Sequence, residues 1–101
     1  MRLDQVNEIR VLLWFHHGTL VDFVILHRTL DRSGDWVEVS RVDCAHGTCH
    51  RHQSSERHGE LEKLELVPIR SRTDVGKAYD RAYNLVLDGY EDHLRRWTRG
   101  R

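Results

Sequence analysis

The spacing of the apolar residues changes once along this chain, and that change constrains the fold more than any other feature. Residues 36–43 (WVEVSRVD) alternate between two sets of side chains, as successive residues of a β-strand do. From Thr73 onward, apolar residues recur every three or four positions, as they do on one face of an α-helix. The sequence therefore predicts a β-rich segment followed by one long amphipathic helix.

Turn-forming residues divide the first part of the chain into four or five strand candidates. These are residues 9–16, 20–28, 36–43 and 48–53, while residues 61–69 are interpreted as a strand or a helical turn. Pro68 favours an edge strand or a strand end for the last candidate. We predict an α+β fold, in which an antiparallel four- to five-stranded meander sheet (strands about 9–69) packs against a C-terminal helix (about 73–98).

Local signals support the ends of the helix and part of the core. Ser71 or Thr73 can cap the helix N-terminus, and Asp74 suits its positive end. The three tryptophans, Trp14, Trp36 and Trp97, are predicted to anchor the core, because their side chains are large and mainly apolar.

Length and composition define a small protein with balanced charge. The 101 residues suit a single domain, residues 1–101, with one modest core. Sixteen Lys and Arg balance sixteen Asp and Glu, which excludes a uniformly basic nucleic-acid binder. Two cysteines are too few for a disulfide framework, and no signal-like start or membrane-length apolar run is visible. We expect a cytoplasmic protein.

Residues 41–52 (RVDCAHGTCHRH) hold the side chains best suited to chemistry. His50 and His52 are two residues apart, so on a strand both imidazoles lie on one face. In RNA cleavage, one imidazole could take the proton of a 2′-hydroxyl while the other protonates the leaving 5′-oxygen. Arg41 and Arg51 could hold the phosphate, and Asp43 could orient an imidazole. This interpretation requires no metal and no cofactor.

Two alternatives for the same segment stay open. Zinc could bind the cysteines and histidines of the segment, but their spacing matches no standard zinc knuckle; these residues are Cys44, His46, Cys49, His50 and His52. Alternatively, the histidines only pair with acids across a hairpin, such as Glu60, Glu62 and Glu65. The protein would then be a non-enzymatic protein-binding or regulatory module.

Three segments together resemble a known family of bacterial toxins. RVDCAHG (41–47), HRH (50–52) and DVGKAYDRAY (74–83) are similar to TumE-type toxins of toxin–antitoxin modules, over roughly residues 20–90. By position, Asp43, His46, His50 and His52 match the motif of that family, whereas Val42 and Cys44 depart from it. The chain also resembles small actinobacterial proteins of unassigned function that share the Ala-His-Gly and His-x-His runs.

The resemblance implies a function and partners. It implies an α+β toxin with ribonuclease-like action on RNA and a helix-turn-helix antitoxin protein as its partner. In this hypothesis His50, His52, His46 and Asp43 are catalytic, and Arg41 and Arg51 bind the substrate. The resemblance is compatible with an endoribonuclease and with a homodimer, and it decides neither. No contact with a membrane is expected.

Overall fold

Five antiparallel strands in chain order and one C-terminal helix make up the fold. The computed structural model describes residues 1–45 and 47–100. The strands are β1 (Asn7–His16), β2 (Thr19–Leu30), β3 (Trp36–Ala45), β4 (Thr48–Ser55) and β5 (Gly59–Pro68), and the helix is α1 (Arg72–Arg99). Each strand pairs with the next, in the order β1-β2-β3-β4-β5. The predicted α+β meander is confirmed, and the ambiguous segment 61–69 belongs to β5 as far as Pro68.

The turn between β1 and β2 shows how the sequence directs this meander. His16 pairs with Thr19, which leaves a two-residue loop. His17 and Gly18 both have positive φ, at 50° and 77°. Two-residue hairpin loops favour this backbone because its twist matches that of the flanking strands. The His17-Gly18 pair therefore closes the first hairpin.

The core lies between one face of the sheet and α1. The helix packs on β2, β3 and β4. Buried apolar side chains from both layers form one cluster: Ile9, Phe23, Ile25, Val42, Cys49, Val75, Ala78, Ala82 and Val86. We call the opposite side of the sheet the open face. No helix among the described residues is both long and apolar enough to cross a membrane.

A bulge explains why the inward-facing set of β3 is hard to read from the sequence. Ser40 pairs with His27, but Glu38 pairs with Arg28, so Val39 is an extra residue in the ladder. Val39 is fully buried, and so are Ser40 and Val42 further along. The buried residues of β3 therefore do not follow one uninterrupted alternation.

The signals at the ends of the helix agree with the structure. Ser71 is the N-cap residue, and an Asp74 carboxylate oxygen accepts hydrogen bonds from the backbone N–H groups of Arg70 and Ser71, at 2.9 and 3.1 Å. Gly100, with a φ of 76°, ends the helix in the left-handed conformation that favours glycine. Of the two predicted caps, the structure uses Ser71.

The prediction that all three tryptophans anchor the core is wrong for Trp14 and also for Trp36. The ring of Trp36 lies under the guanidinium groups of Arg2 and Arg28, outside the core cluster. Trp97 is buried, Trp36 is partly buried, and Trp14 is 47% exposed. Trp14 lies on β1, which is an edge strand, while the helix packs over the inner strands. The apolar character of Trp14 therefore does not result in burial within this chain.

Two histidines lie inside the core in their neutral form. His27 is fully buried, and its Nε2 lies 2.9 Å from Oδ1 of Asn7. Burial, with a further contribution from His93, lowers the pKa of His27 to about 4. Burial and the nearby Arg51 lower the pKa of His93 to about 4 as well. Neither imidazole carries a charge at neutral pH, which avoids the cost of burying a cation.

This burial predicts a loss of stability in mild acid. The unfolded chain binds more protons than the folded one between the ordinary histidine pKa of 6.5 and the folded value of about 4. The contribution of the two neutral histidines to the free energy of unfolding is therefore complete above pH 6.5, and it decreases as the pH falls. We expect a loss on the order of 1 kcal/mol per pH unit for each histidine. Urea unfolding followed by circular dichroism at several pH values measures it.

The variant His93→Gln should show a smaller decrease over the same pH range, because one of the two groups no longer titrates. The exposed His16 provides the matched control, and His16→Gln should behave like the wild type. If all three proteins respond equally to pH, the burial of a neutral His93 is not the cause.

Candidate acid–base site on the open face of the sheet

The register of β3 and β4 brings four predicted site residues together. Asp43 pairs with His50, and Arg41 pairs with His52. Because side chains of directly opposed residues share a face, these four side chains lie on the same side of the sheet. The intervening pair, Val42 and Arg51, is buried on the side of the helix. The cluster of Arg41, Asp43, His50 and His52 therefore occupies the open face.

Two carboxylates hold the imidazole of His52. Its Nδ1 contacts Oε1 of Glu60, and its Nε2 lies 3.2 Å from Oδ1 of Asp43. The side chain of His52 is only 9% exposed, although it is on the open face. Contacts at both ring nitrogens fix the orientation of the imidazole.

His50 lies beside this group with fewer constraints. The centroids of the His50 and His52 rings are 6.4 Å apart, and the ring planes are tilted by 59°. The hydroxyl oxygen of Thr48 is 3.0 Å from Nε2 of His50. His50 is partly exposed and is more accessible than the buried His52. The two imidazoles thus differ in their exposure to solvent and in how firmly their contacts hold each ring in one orientation.

Ion pairs already partly neutralise Arg41. Its Nε donates to Oδ2 of Asp43 at 3.0 Å, and its Nη1 lies 3.3 Å from Oε1 of Glu38. A guanidinium group has five N–H donors, so capacity remains for a further anion. Arg41 can therefore still contact a phosphate, but its charge is shared with two carboxylates.

Arg51 does not join the cluster, contrary to the role expected for it. It lies between His50 and His52 in sequence, and the alternation of the strand directs it to the face covered by the helix. Its Nη1 donates to Oε1 of Gln53 at 2.7 Å, and its Nη2 is 3.6 Å from Oε1 of Glu62. Burial, with the nearby Arg96, lowers the pKa of Arg51. A phosphate on the open face cannot reach this guanidinium.

Of the other residues considered for this site, His46 lies outside the described residues. Cys44 and Cys49 are paired across the strands, carry free thiols and pack in the core on the helix side. Hydrogen bonding between the thiols raises the pKa of Cys44 and lowers that of Cys49. Within residues 1–45 and 47–100, no three His, Cys, Asp or Glu side chains are arranged to hold a metal ion.

The sequence identified Glu60 only as one of three acids that could pair with a histidine. The structure selects it for His52, while Glu62 contacts Arg96 and lies near Arg51. A register shift between Gln53 and Ser54 places Glu60 opposite Ser54. Such a bulge has no clear signature in this polar segment. The spacing alone therefore could not single out Glu60.

The fold and this cluster define a small α+β protein with a carboxylate-held histidine pair on the sheet face opposite its helix. The chain belongs to the family described as "Domain of unknown function (DUF7718)", which matches residues 1–101. No curated protein and no solved structure matches the chain. The likeness to TumE-type toxins therefore stays a prediction.

The different positions of the two arginines predict different effects on stability. The variant Arg51→Met leaves Oε1 of the buried Gln53 without its donor, and we expect it to reduce the free energy of unfolding by about 1–3 kcal/mol. The variant Arg41→Met removes only partly exposed ion pairs, and a loss below about 1 kcal/mol is expected. Urea unfolding at neutral pH measures both. Equal losses would contradict the structural role of Arg51.

Proposed function

We propose that this protein cleaves RNA without a metal, through acid–base catalysis at His50 and His52. The observation that carries this proposal is the pair of imidazoles 6.4 Å apart on the open face, one of them held by Asp43 and Glu60. Two imidazoles at this separation can act on the attacking and the leaving oxygen of one phosphodiester.

His52 is assigned as the general base. Glu60 accepts the Nδ1 hydrogen and fixes the orientation of the ring, as an acidic partner does in a catalytic triad. In the neutral form with its hydrogen on Nδ1, the ring has no hydrogen on Nε2 to donate to Asp43, so Nε2 accepts the proton of the 2′-hydroxyl, and the freed oxygen attacks phosphorus. The resulting imidazolium then lies between the carboxylates of Glu60 and Asp43 and is stabilised by both.

His50 is assigned as the general acid. Its partly exposed ring donates a proton to the 5′-oxygen as the bond from phosphorus to that oxygen breaks. The products are a 2′,3′-cyclic phosphate and a free 5′-hydroxyl. Arg41 is the arginine of the cluster that lies on the same face and can stabilise the charge on phosphorus.

Acidic groups around the cluster limit how RNA can bind there. Glu38, Asp43 and Glu60 all contact cations or imidazoles of the cluster. A proton on His50 offsets part of this negative charge, because each protonated histidine adds one positive charge. The protonated form is also the one that the role of His50 as the acid requires.

The role of a toxin paired with a helix-turn-helix antitoxin is part of the same proposal. It is supported by the resemblance of three segments and by the placement of Asp43, His50 and His52 in one cluster. Expression in a bacterial host tests this role, since the active protein should arrest growth and the variant His50→Ala/His52→Ala should not.

The direct test is cleavage of a labelled oligonucleotide in the presence of EDTA. The wild-type protein should release products ending in a 2′,3′-cyclic phosphate. We expect His50→Ala and His52→Ala each to reduce the rate by about 100-fold or more. Glu60→Gln should cause a smaller loss, since the amide oxygen can still orient His52 and only the charge of Glu60 beside the imidazolium is removed.

The exposed His16 lies outside the cluster, and His16→Ala should retain the wild-type rate. A substrate with a 2′-deoxy sugar at the scissile position should remain intact. Absence of RNA cleavage by the wild-type protein, or equal cleavage by the double histidine variant, would overturn the assignment.

A non-enzymatic binding module is the second candidate. The observation in its favour is a run of exposed apolar side chains on β1, including Trp14 and Phe15. If the double histidine variant keeps its cellular effect while substitutions on β1 abolish it, this second function replaces the first.

A further inference from the structure

The two edges of the sheet are protected to different degrees. The edge strand β5 carries Glu60, Lys63 and Glu65 and ends at Pro68. Charged residues and proline on an edge strand prevent other chains from pairing with it. On β1, the residues after Arg10 include no Lys, Arg, Asp, Glu or Pro. The β1 edge therefore lacks this form of protection along its second half.

The first half of the β1 edge is already covered by residues before the strand. Met1 and Ile9 exchange two backbone hydrogen bonds, both of 2.8 Å, and the N–H of Leu3 donates to the carbonyl of Asn7 at 2.9 Å. This short segment occupies the hydrogen-bonding groups on the outer side of β1 as far as Ile9.

The second half of this edge is left available. Since the groups of Ile9 point outward, the alternation of an antiparallel ladder directs those of Val11 and Leu13 outward as well. Within the described chain, no backbone group beyond β2 pairs with these two residues. Four consecutive side chains in this stretch are exposed on both faces of the strand: Leu12, Leu13, Trp14 and Phe15.

We propose that a second copy of this chain pairs with residues 11–15 of β1 in an antiparallel manner, about a two-fold axis at Leu13. In this register Val11 lies opposite Phe15, Leu12 lies opposite Trp14, and Leu13 lies opposite itself. Every opposed pair within residues 11–15 is apolar, because the segment Val-Leu-Leu-Trp-Phe contains only apolar residues.

The register also brings a cation to an aromatic ring. Arg10 shares the open face with Trp14, and it would lie diagonally across from Trp14 of the second copy. An exposed arginine over an indole ring adds a cation–π attraction to the apolar pairs. The apolar pairs and the contact between Arg10 and Trp14 each form twice, once on either side of the two-fold axis, and this repetition favours a second copy over an unrelated strand.

The pairing has a consequence for the candidate site. A two-fold axis perpendicular to the sheet keeps both open faces on the same side and both helices on the other. Seven strand spacings separate the two copies of β4, so the histidine clusters would be about 34 Å apart on one surface. This inference depends on the β1 edge and not on acid–base catalysis, so it stands or fails independently.

Sedimentation velocity from micromolar to millimolar concentration tests the proposal. The wild-type protein should shift from 12.0 kDa toward twice that mass as the concentration rises. The variant Leu13→Lys should remain monomeric, because a charge at the two-fold axis would oppose itself. Leu64 on β5 is the matched control, since Leu13 is 42% and Leu64 43% exposed, and Leu64→Lys should behave like the wild type.

A cross-linking experiment keeps the test valid if Leu13→Lys fails to fold. Leu13→Cys places two thiols opposite each other at the axis, at a Cα separation of about 5.5 Å, which suits a disulfide. With oxidised glutathione as oxidant, which is reduced to two glutathione thiols, this variant should form a covalent dimer. Leu64→Cys and the wild type, which retain Cys44 and Cys49, should not.

A wild-type protein that stays monomeric at millimolar concentration overturns the proposal. So does a dimer that Leu13→Lys leaves intact, or a covalent yield from Leu64→Cys equal to that from Leu13→Cys. If the wild type is monomeric but residues 11–15 are protected by a different protein, the occupant of the edge is that other strand.

Discussion

The structure depends on the burial of one helix against one face of a single sheet. Because α1 covers only that face, the two sets of side chains along each strand meet different surroundings. On β3 and β4, Val42, Cys49 and Arg51 lie under the helix, while Asp43 and His52 lie on the open face. A shift of one residue in the pairing would exchange the two sets. The same register therefore maintains both the core and the candidate site.

Polar groups inside the core connect the helix to the sheet. Gln53 is fully buried, and its Nε2 donates to the backbone carbonyl of His93 at 3.1 Å. Its Oε1 accepts a hydrogen bond from Arg51, so the arginine, the glutamine and the helix backbone form one connected network. Such a buried network has a strict geometry, because a displaced partner leaves an unsatisfied polar group. We infer that Arg51 helps to hold the helix on the sheet and does not bind a phosphate.

The fold and part of the candidate site could be predicted from the sequence. The change from a period of two to a helical period predicted the order of the elements, and the spacing of His50 and His52 predicted that they share a face. The same alternation already implies that Arg51 lies on the other face. Glu60 required the pairing of β4 with β5 and its register shift, which depend on contacts between residues that are distant in sequence.

By itself, the sequence determined the order of the first four strands and the helix, the start of the helix at Ser71 or Thr73, and the grouping of Asp43, His50 and His52, because these follow from interactions among near neighbours along the chain. Only the tertiary structure decided that Trp14 is exposed and that Arg51 is buried. Burial depends on which strands the helix covers, and that is set by packing between segments far apart in the sequence. Trp14, an apolar residue that is exposed on an edge strand, and Arg51, a charged residue that is buried beneath the helix, are the two examples.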